Sequence, residues 1–307
     1  MVRKKSNNTV FIWLIALFFI SLANSGAATQ MWEAKVHVRH DKREVRDDRQ
    51  QYRLQLKTQF EINENWWLHG YAATGDRFNN SYNTVDENQT FAIRRIFGRY
   101  KKGDTRVEFG VIPTYKADVS STGLSKYGWI KGARYTQHFA SKHTFEWVAG
   151  ELTLESANHA LSLPHALNYG EFEVSSDWND WLSTELSLEH MTGDPFVRGE
   201  VRIKHDGKTN LIEYINKIGS DEFKVVVGQK GEVHLFNYPI SYFFHYSYVD
   251  PELGPRAELT EDFLGTGNAL SLENKGKILQ SKAQWFTRVD WVDGNYRWLV
   301  GLSASFK

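Results

Sequence analysis

The chain has 307 residues, 37 Lys plus Arg balanced by 37 Asp plus Glu, 14% aromatic residues, six prolines and no cysteine. The even charge balance excludes a strong field of one sign and argues against a nucleic-acid partner, while the missing thiols exclude disulfides and thiolate metal sites. Many aromatics and few prolines favour strands.

In chain order, the first element is an export signal. Arg3, Lys4 and Lys5 form a basic region, Val10 to Ala23 form an apolar run of fourteen residues, and small residues follow at Ser25, Gly26, Ala27 and Ala28. The run is short for a membrane span and reads as a leader over 1–27, ahead of one domain over 28–307. Removing its three basic residues leaves 34 Lys plus Arg against 37 Asp plus Glu, a balance of −3.

The elements that follow alternate with a period of two. Ala34, Val36 and Val38 oppose Lys35, His37 and Arg39. Tyr52, Leu54, Leu56, Phe60 and Ile62 oppose Arg53, Gln55, Lys57, Gln59 and Glu61. Such a charged row cannot line a packed core, since an unpaired buried polar group costs several kcal/mol, roughly 2–7. It can line water. Further strands are expected at 66–75, 91–100, 105–112, 130–137, 145–153, 169–174, 181–191, 197–204, 211–218, 223–227, 233–248 and 278–291. The final one is 296–307, with Tyr296, Trp298, Val300, Leu302, Ala304 and Phe306 on one face.

No segment after the leader is long and apolar enough for a membrane helix. A membrane location therefore requires a closed antiparallel β-barrel, in which every backbone polar group is paired. Short turns at 63–65, 101–104 and 140–143 alternate with long polar stretches at 41–51, 76–89, 113–128 and 154–167, as in outer-membrane barrels. Fifteen strands break the even-number rule for such barrels. We expect about 14, with 12 to 16 admitted: 233–248, which contains Pro239, is two strands, a weak segment is not a strand, or the polar stretch 249–277 hides one. Trp and Tyr near strand ends, including Trp32, Trp66, Trp67, Trp178, Trp181, Trp285 and Trp291, are expected to form interface girdles.

The stretch Phe91–Tyr100 keeps one parity only if a bulge falls at Arg94-Arg95, which turns both arginines and Arg99 towards the lumen. The run Arg94-Arg95-Ile96-Phe97-Gly98-Arg99-Tyr100, followed by Val107-Glu108-Phe109-Gly110 and a polar loop, resembles the bacterial porins, as does the terminal Phe306. The resemblance implies an outer-membrane channel of a Gram-negative bacterium, set in lipid and passing small hydrophilic solutes, and a ring of lysines and arginines in it would favour anions. It further implies a basic wall at Arg94, Arg95 and Arg99, with Lys116 and Asp118 on an inward-folded loop. Lys35, Arg39, Arg53 and Lys57 complete the expected pore lining, and a homo-oligomer is admitted.

Three other readings compete. His245-Tyr246-Ser247 matches a His-x-Ser pair of outer-membrane lipid hydrolases, but Phe244, Tyr246 and Tyr248 form the natural outward row and turn that pair away from lipid. A barrel plugged by 249–277 would serve a binding or structural role, and a soluble periplasmic sandwich would keep the strands without the lipid. The histidines lack metal-ligand spacing, and Asp250, Glu252, Glu261 and Asp262 read as a solvated acidic loop rather than a calcium site. No cofactor, metal or catalytic residue is expected.

Overall fold

The computed structural model describes residues 30–44, 46–75, 82–87, 89–113, 130–139, 142–152, 160, 162–236, 238–254, 264–279 and 281–307. The leader, Lys116, Asp118, Glu261 and Asp262 lie outside the described residues.

Period-two alternation over eight to eighteen residues produces strands. In order they are β1 (Gln30–Arg43), β2 (Arg46–Asn63), β3 (Trp66–Thr74), β4 (Asn83–Thr84), β5 (Phe91–Lys102) and β6 (Thr105–Ile112). Next come β7 (Ile130–Phe139), β8 (His143–Leu152), β9 (Tyr169–Asp177), β10 (Leu182–Met191), β11 (Asp194–His205) and β12 (Lys208–Lys217). Then follow β13 (Phe223–Leu235), β14 (Tyr238–Val249), β15 (Gly267–Lys277), β16 (Ala283–Val292) and β17 (Asn295–Phe306).

Each long strand pairs antiparallel with its neighbours in sequence, and β1 pairs with both β2 and β17. The ring is closed by ten pairs from Ala34↔Phe306 to Arg43↔Arg297. It contains sixteen long strands, with the two-residue β4 added beside β2 beyond the end of β3. The count is even, at the top of the expected range, and the missing strand is β15, hidden in the polar stretch 249–277. Its outward Leu270 and Leu272 alternate with Ser271 and Glu273, a short signal inside a polar context. The stretch 41–51 is not a loop: β1 and β2 run through it to a tight turn between Arg43 and Arg46.

Turn chemistry explains the short connections. Thr192-Gly193, Asp206-Gly207 and Asp293-Gly294 all have positive φ at both residues, the requirement of type I′ hairpins. The strand ends that flank the wide connections, at Thr74, Ile112, Leu152 and Val249, all lie at one rim. Both chain ends of the barrel lie at the other.

Sidedness runs opposite to that of a water-soluble protein. Leu54, Leu56, Leu186, Leu188, Val201, Ile212, Val227, Leu272, Val300 and Leu302 are exposed on the outside. Gln51, Arg53, Arg134, Glu146, Glu173, Arg198, Glu213, Asp290 and Arg297 are buried within. An outer face this apolar requires an apolar surround. Trp32, Trp66, Phe139, Trp178, Trp181 and Phe306 are exposed near the short-turn rim and form an aromatic band there. Trp67 departs from the expected girdle, because its position shares the inward parity of Tyr71, which is buried. Phe60 departs too: it keeps the outward parity of Leu54 and Leu56 but is only 3% exposed.

Candidate functional site in the barrel lumen

Because side chains alternate across a strand, every second residue of all sixteen strands is delivered to one enclosed space. The register then decides which charges meet.

Of the ten arginines on β16, β17, β1, β2 and β5, eight are taken together as one wall, Arg288, Arg297, Arg39, Arg43, Arg46, Arg53, Arg94 and Arg95, while Arg49 pairs with Glu87 at 3.6 Å. Two buried aspartates organise part of this wall. Asp290 accepts from Arg288 at 2.8 Å and from Arg297 at 2.7 Å. Asp41 lies 2.6 Å from Arg46, 3.2 Å from Arg43 and 4.0 Å from Arg39.

The bulge expected at Arg94-Arg95 is present. Tyr71 faces Arg95 and the next residue, Ala72, faces Ile93, so Arg94 is the extra residue. Both arginines are consequently buried. Arg94 donates to the Thr74 carbonyl at 2.9 Å, while the Arg95 guanidinium lies 4.2 Å from the Tyr71 ring centre. Arg39 donates to Gln51 at 2.8 Å and lies over the Tyr82 ring, and Arg53 lies over that same ring. At the short-turn mouth, Lys35 and Lys57 share Glu33, at 3.3 and 3.6 Å.

Arg99 belongs to a different group. It contacts Glu108 at 2.7 Å, and Glu108 also holds Arg134 at 2.7 Å and Arg106 at 3.9 Å. Arg134 continues to Glu146 at 2.8 Å. This lattice ties β5 to β8, so Arg99 is a structural tie across the barrel wall as well as a lumenal cation.

The opposite wall is acidic. Glu171 and Glu173 of β9, Glu185 and Glu189 of β10, Glu200 of β11 and Glu213 of β12 gather on this side together with Arg198 and Arg202. Arg198 reaches Glu173 at 2.6 Å, Glu185 at 3.2 Å, Glu189 at 3.6 Å, and Glu200 and Glu213 at 3.8 Å each. Arg202 pairs with Glu185 and Glu200. Within the ring, β10 lies eight strands from β1, diametrically across the lumen. A wall rich in arginine therefore faces a wall rich in glutamate, and a field crosses the enclosed space from one to the other.

Sequence reasoning pointed to arginines on one wall and to opposing acids without saying which acids these are. The signal was available as alternation: Glu171-x-Glu173, Glu185-x-Ser187-x-Glu189 and Arg198-x-Glu200-x-Arg202 each put polar groups on one face. Tyr82 was also missed, because it belongs to a loop and has no strand parity to betray its direction.

Apolar side chains also pack inside the barrel. Phe97, Val111, Ile130, Val148, Tyr169, Met191, Phe196, Ile215 and Val249 form one buried cluster. Leu253 joins it from a single 3-10 turn, Pro251–Leu253, which Asp250 caps by accepting from the Glu252 amide at 2.9 Å. Asp250 thus serves as a cap. No metal-holding group of three or more His, Asp or Glu occurs among the described residues.

His245 and Ser247 are each 4% exposed and share the inward parity of Val249, whereas Phe244 on the other face is exposed. A lipid ester outside the barrel does not reach them. No helix among the described residues is long and apolar enough to cross a membrane, which leaves crossing by strands unaffected.

These features define a class: a sixteen-stranded antiparallel barrel, apolar outside, with charged walls facing a lumen. No family model matches the sequence, and no curated protein matches it. Solved structures do match. A doubly substituted porin of Rh. blastica aligns over 91% of this chain and 100% of its own, with TM-score 0.62 and 11% identity. Salmonella typhi OmpF, solved in complex with daunomycin, aligns over 90% of this chain and 97% of its own, with TM-score 0.63 and 10% identity. The trimer form of OmpT, an outer membrane protein of Vibrio cholerae, aligns over 91% and 100%, with TM-score 0.58 and 11% identity. The fold of this chain is the porin-like β-barrel.

Proposed function

We propose that the protein is a passive channel of a Gram-negative outer membrane, admitting small hydrophilic solutes and favouring anions along its arginine wall. The observation that carries this reading is the pairing of an apolar exterior with a lumen whose two walls carry opposite charge. Lipid outside and water inside satisfy both faces at once. A solute crossing between such walls is oriented by the field, and the excess of guanidinium groups on one side lowers the barrier for an anion travelling beside it. Lys35, Arg39, Arg53, Lys57, Arg94 and Arg95 supply the lining, Arg99 acts through its lattice, and Lys116 and Asp118 belong to the same proposal from the loop after β6.

The leader over 1–27 supports export to that membrane. Transport of this kind needs no cofactor and no bond-making residue, so the protein acts here without enzymatic chemistry. A homo-oligomer agrees with the trimer form in which OmpT of Vibrio cholerae was solved. The inward direction of His245 and Ser247 disfavours the lipid hydrolase.

Planar-bilayer recording of the purified full chain is the test. Discrete current steps are expected, with a reversal potential in a potassium chloride gradient that marks chloride as the more permeant ion. A protein that inserts but produces no steps at any voltage removes the channel reading and leaves only the barrel.

A further inference from the structure

The loop between β3 and β5 is bound to the barrel more firmly than a simple connection needs. Asn83 and Thr84 pair with Tyr52 and Gln51 as a short strand, and the Val85 amide donates to the Gln50 carbonyl at 2.9 Å. The Asn83 amide donates to the Thr90 carbonyl at 2.9 Å and to the Tyr52 hydroxyl at 3.2 Å. Gln89 closes the turn from the other side, donating to the Thr84 carbonyl at 2.7 Å. These bonds fix the residue immediately before them, Tyr82.

The Tyr82 ring lies inside the barrel, not at its rim. The Arg39 guanidinium carbon is 3.6 Å from its centre and that of Arg53 is 5.4 Å away. His37 meets it edge-on, with centres 6.4 Å apart. All three partners stand on the inward faces of β1 and β2. Arg39 also donates to Gln51, which itself donates to Thr84 at 3.4 Å, so the circuit from Tyr82 through Arg39 returns to the same turn. Two guanidinium groups on adjacent strands repel one another, and an electron-rich ring face within reach of both offsets that repulsion. Bulk and charge are thus set at one level of the lumen by a single side chain.

We propose that Tyr82 is a specificity-determining residue of the pore. It gathers Arg39 and Arg53 into one anion-attracting site and takes cross-section from the lumen beside it. This rests on the channel reading above. The partner chemistry is that of small anions, for which chloride against potassium is the probe.

The experiment compares wild type with Y82F, Y82L and Y82A in planar bilayers under a potassium chloride gradient. Folding of each is checked by the electrophoretic mobility shift between unheated and boiled samples. Y82F keeps the ring and is expected to match wild type in conductance and in chloride-to-potassium permeability. Y82L keeps most of the bulk but not the π face, so its conductance stays near wild type while the permeability ratio falls. Y82A opens space as well, and its conductance is expected to rise about twofold, since pore radius and lining charge together set conduction. Equal permeability ratios in wild type, Y82F and Y82L overturn the proposal, and that comparison stands even where Y82A does not fold. A silent wild type overturns the channel reading and this proposal with it, whereas a conducting wild type with unresponsive variants overturns only the latter.

Discussion

Replacing Arg198 by Ala is expected to unfold the barrel far more readily than any other single change in the lumen. The side chain is fully buried and contacts five glutamates within 3.8 Å. With it gone, Glu173, Glu185, Glu189, Glu200 and Glu213 lose the guanidinium they share and face one another across β9 to β12. Leaving buried charge uncompensated costs about 3–5 kcal/mol for one broken pair, and this residue serves several. In a urea titration in detergent micelles, followed by the mobility of unheated samples, the midpoint should fall sharply. Arg198→Lys should lie between wild type and the Ala variant, because an ammonium keeps the charge but loses the planar fork that reaches several carboxylates at once. Combining Arg198→Ala with Glu189→Gln should recover part of the loss. A midpoint for Arg198→Ala equal to wild type would show that the glutamates are stabilised by other means.

The second large effect concerns selectivity. Changing Arg39, Arg53 and Arg95 together to Gln removes three positive charges from one wall while the six glutamates of the other remain. Each charge acts on a passing ion by about 0.5–1 kcal/mol at close range in water, and salt screens it beyond about 10 Å at 0.1 M. Three such terms amount to roughly one to two orders of magnitude in relative permeability, enough to invert a modest preference. The reversal potential of the triple variant should therefore change sign in a potassium chloride gradient, with conductance retained. An unmoved reversal potential would mean that these arginines line no conducting path. These three were chosen because Arg39, Arg53 and Arg95 lie over Tyr82 and Tyr71, outside the Glu108 lattice that contains Arg99.

How far the chain could be read in advance follows from where its signals lie. Period-two alternation in Tyr52–Ile62 and Tyr296–Phe306 was long and clean, so fold class and sidedness were legible. The bulge was legible too, because Phe91–Tyr100 cannot keep one parity without it. The strand count was harder: β15 is half polar and sits beside a polar loop, and the tight turn at the end of β1 carries charged residues that read as a loop. The lumen was legible as separate rows and not as a site. Glu173 and Arg198 are 25 residues apart in the chain yet 2.6 Å apart in space, and only the register of β9, β10 and β11 brings them together. Tyr82 was illegible for a different reason, since loop residues take their direction from hydrogen bonds that no periodicity encodes.

The direct pairing of β1 with β17 has one more consequence. Ala34 faces Phe306, so the first and last strands are neighbours like any other two, and the chain is cyclic in all but its covalent bond. Where the ring is cut is then a matter of gene order and not of architecture. A circular permutant, with 307 joined by a short linker to 30 and new ends between Asp206 and Gly207, keeps every ladder of hydrogen bonds and both termini at the same rim. It should fold to a barrel with the mobility shift of the original. Failure to do so would show that assembly depends on which strand is delivered last, making the order of synthesis a property that the finished ring no longer displays.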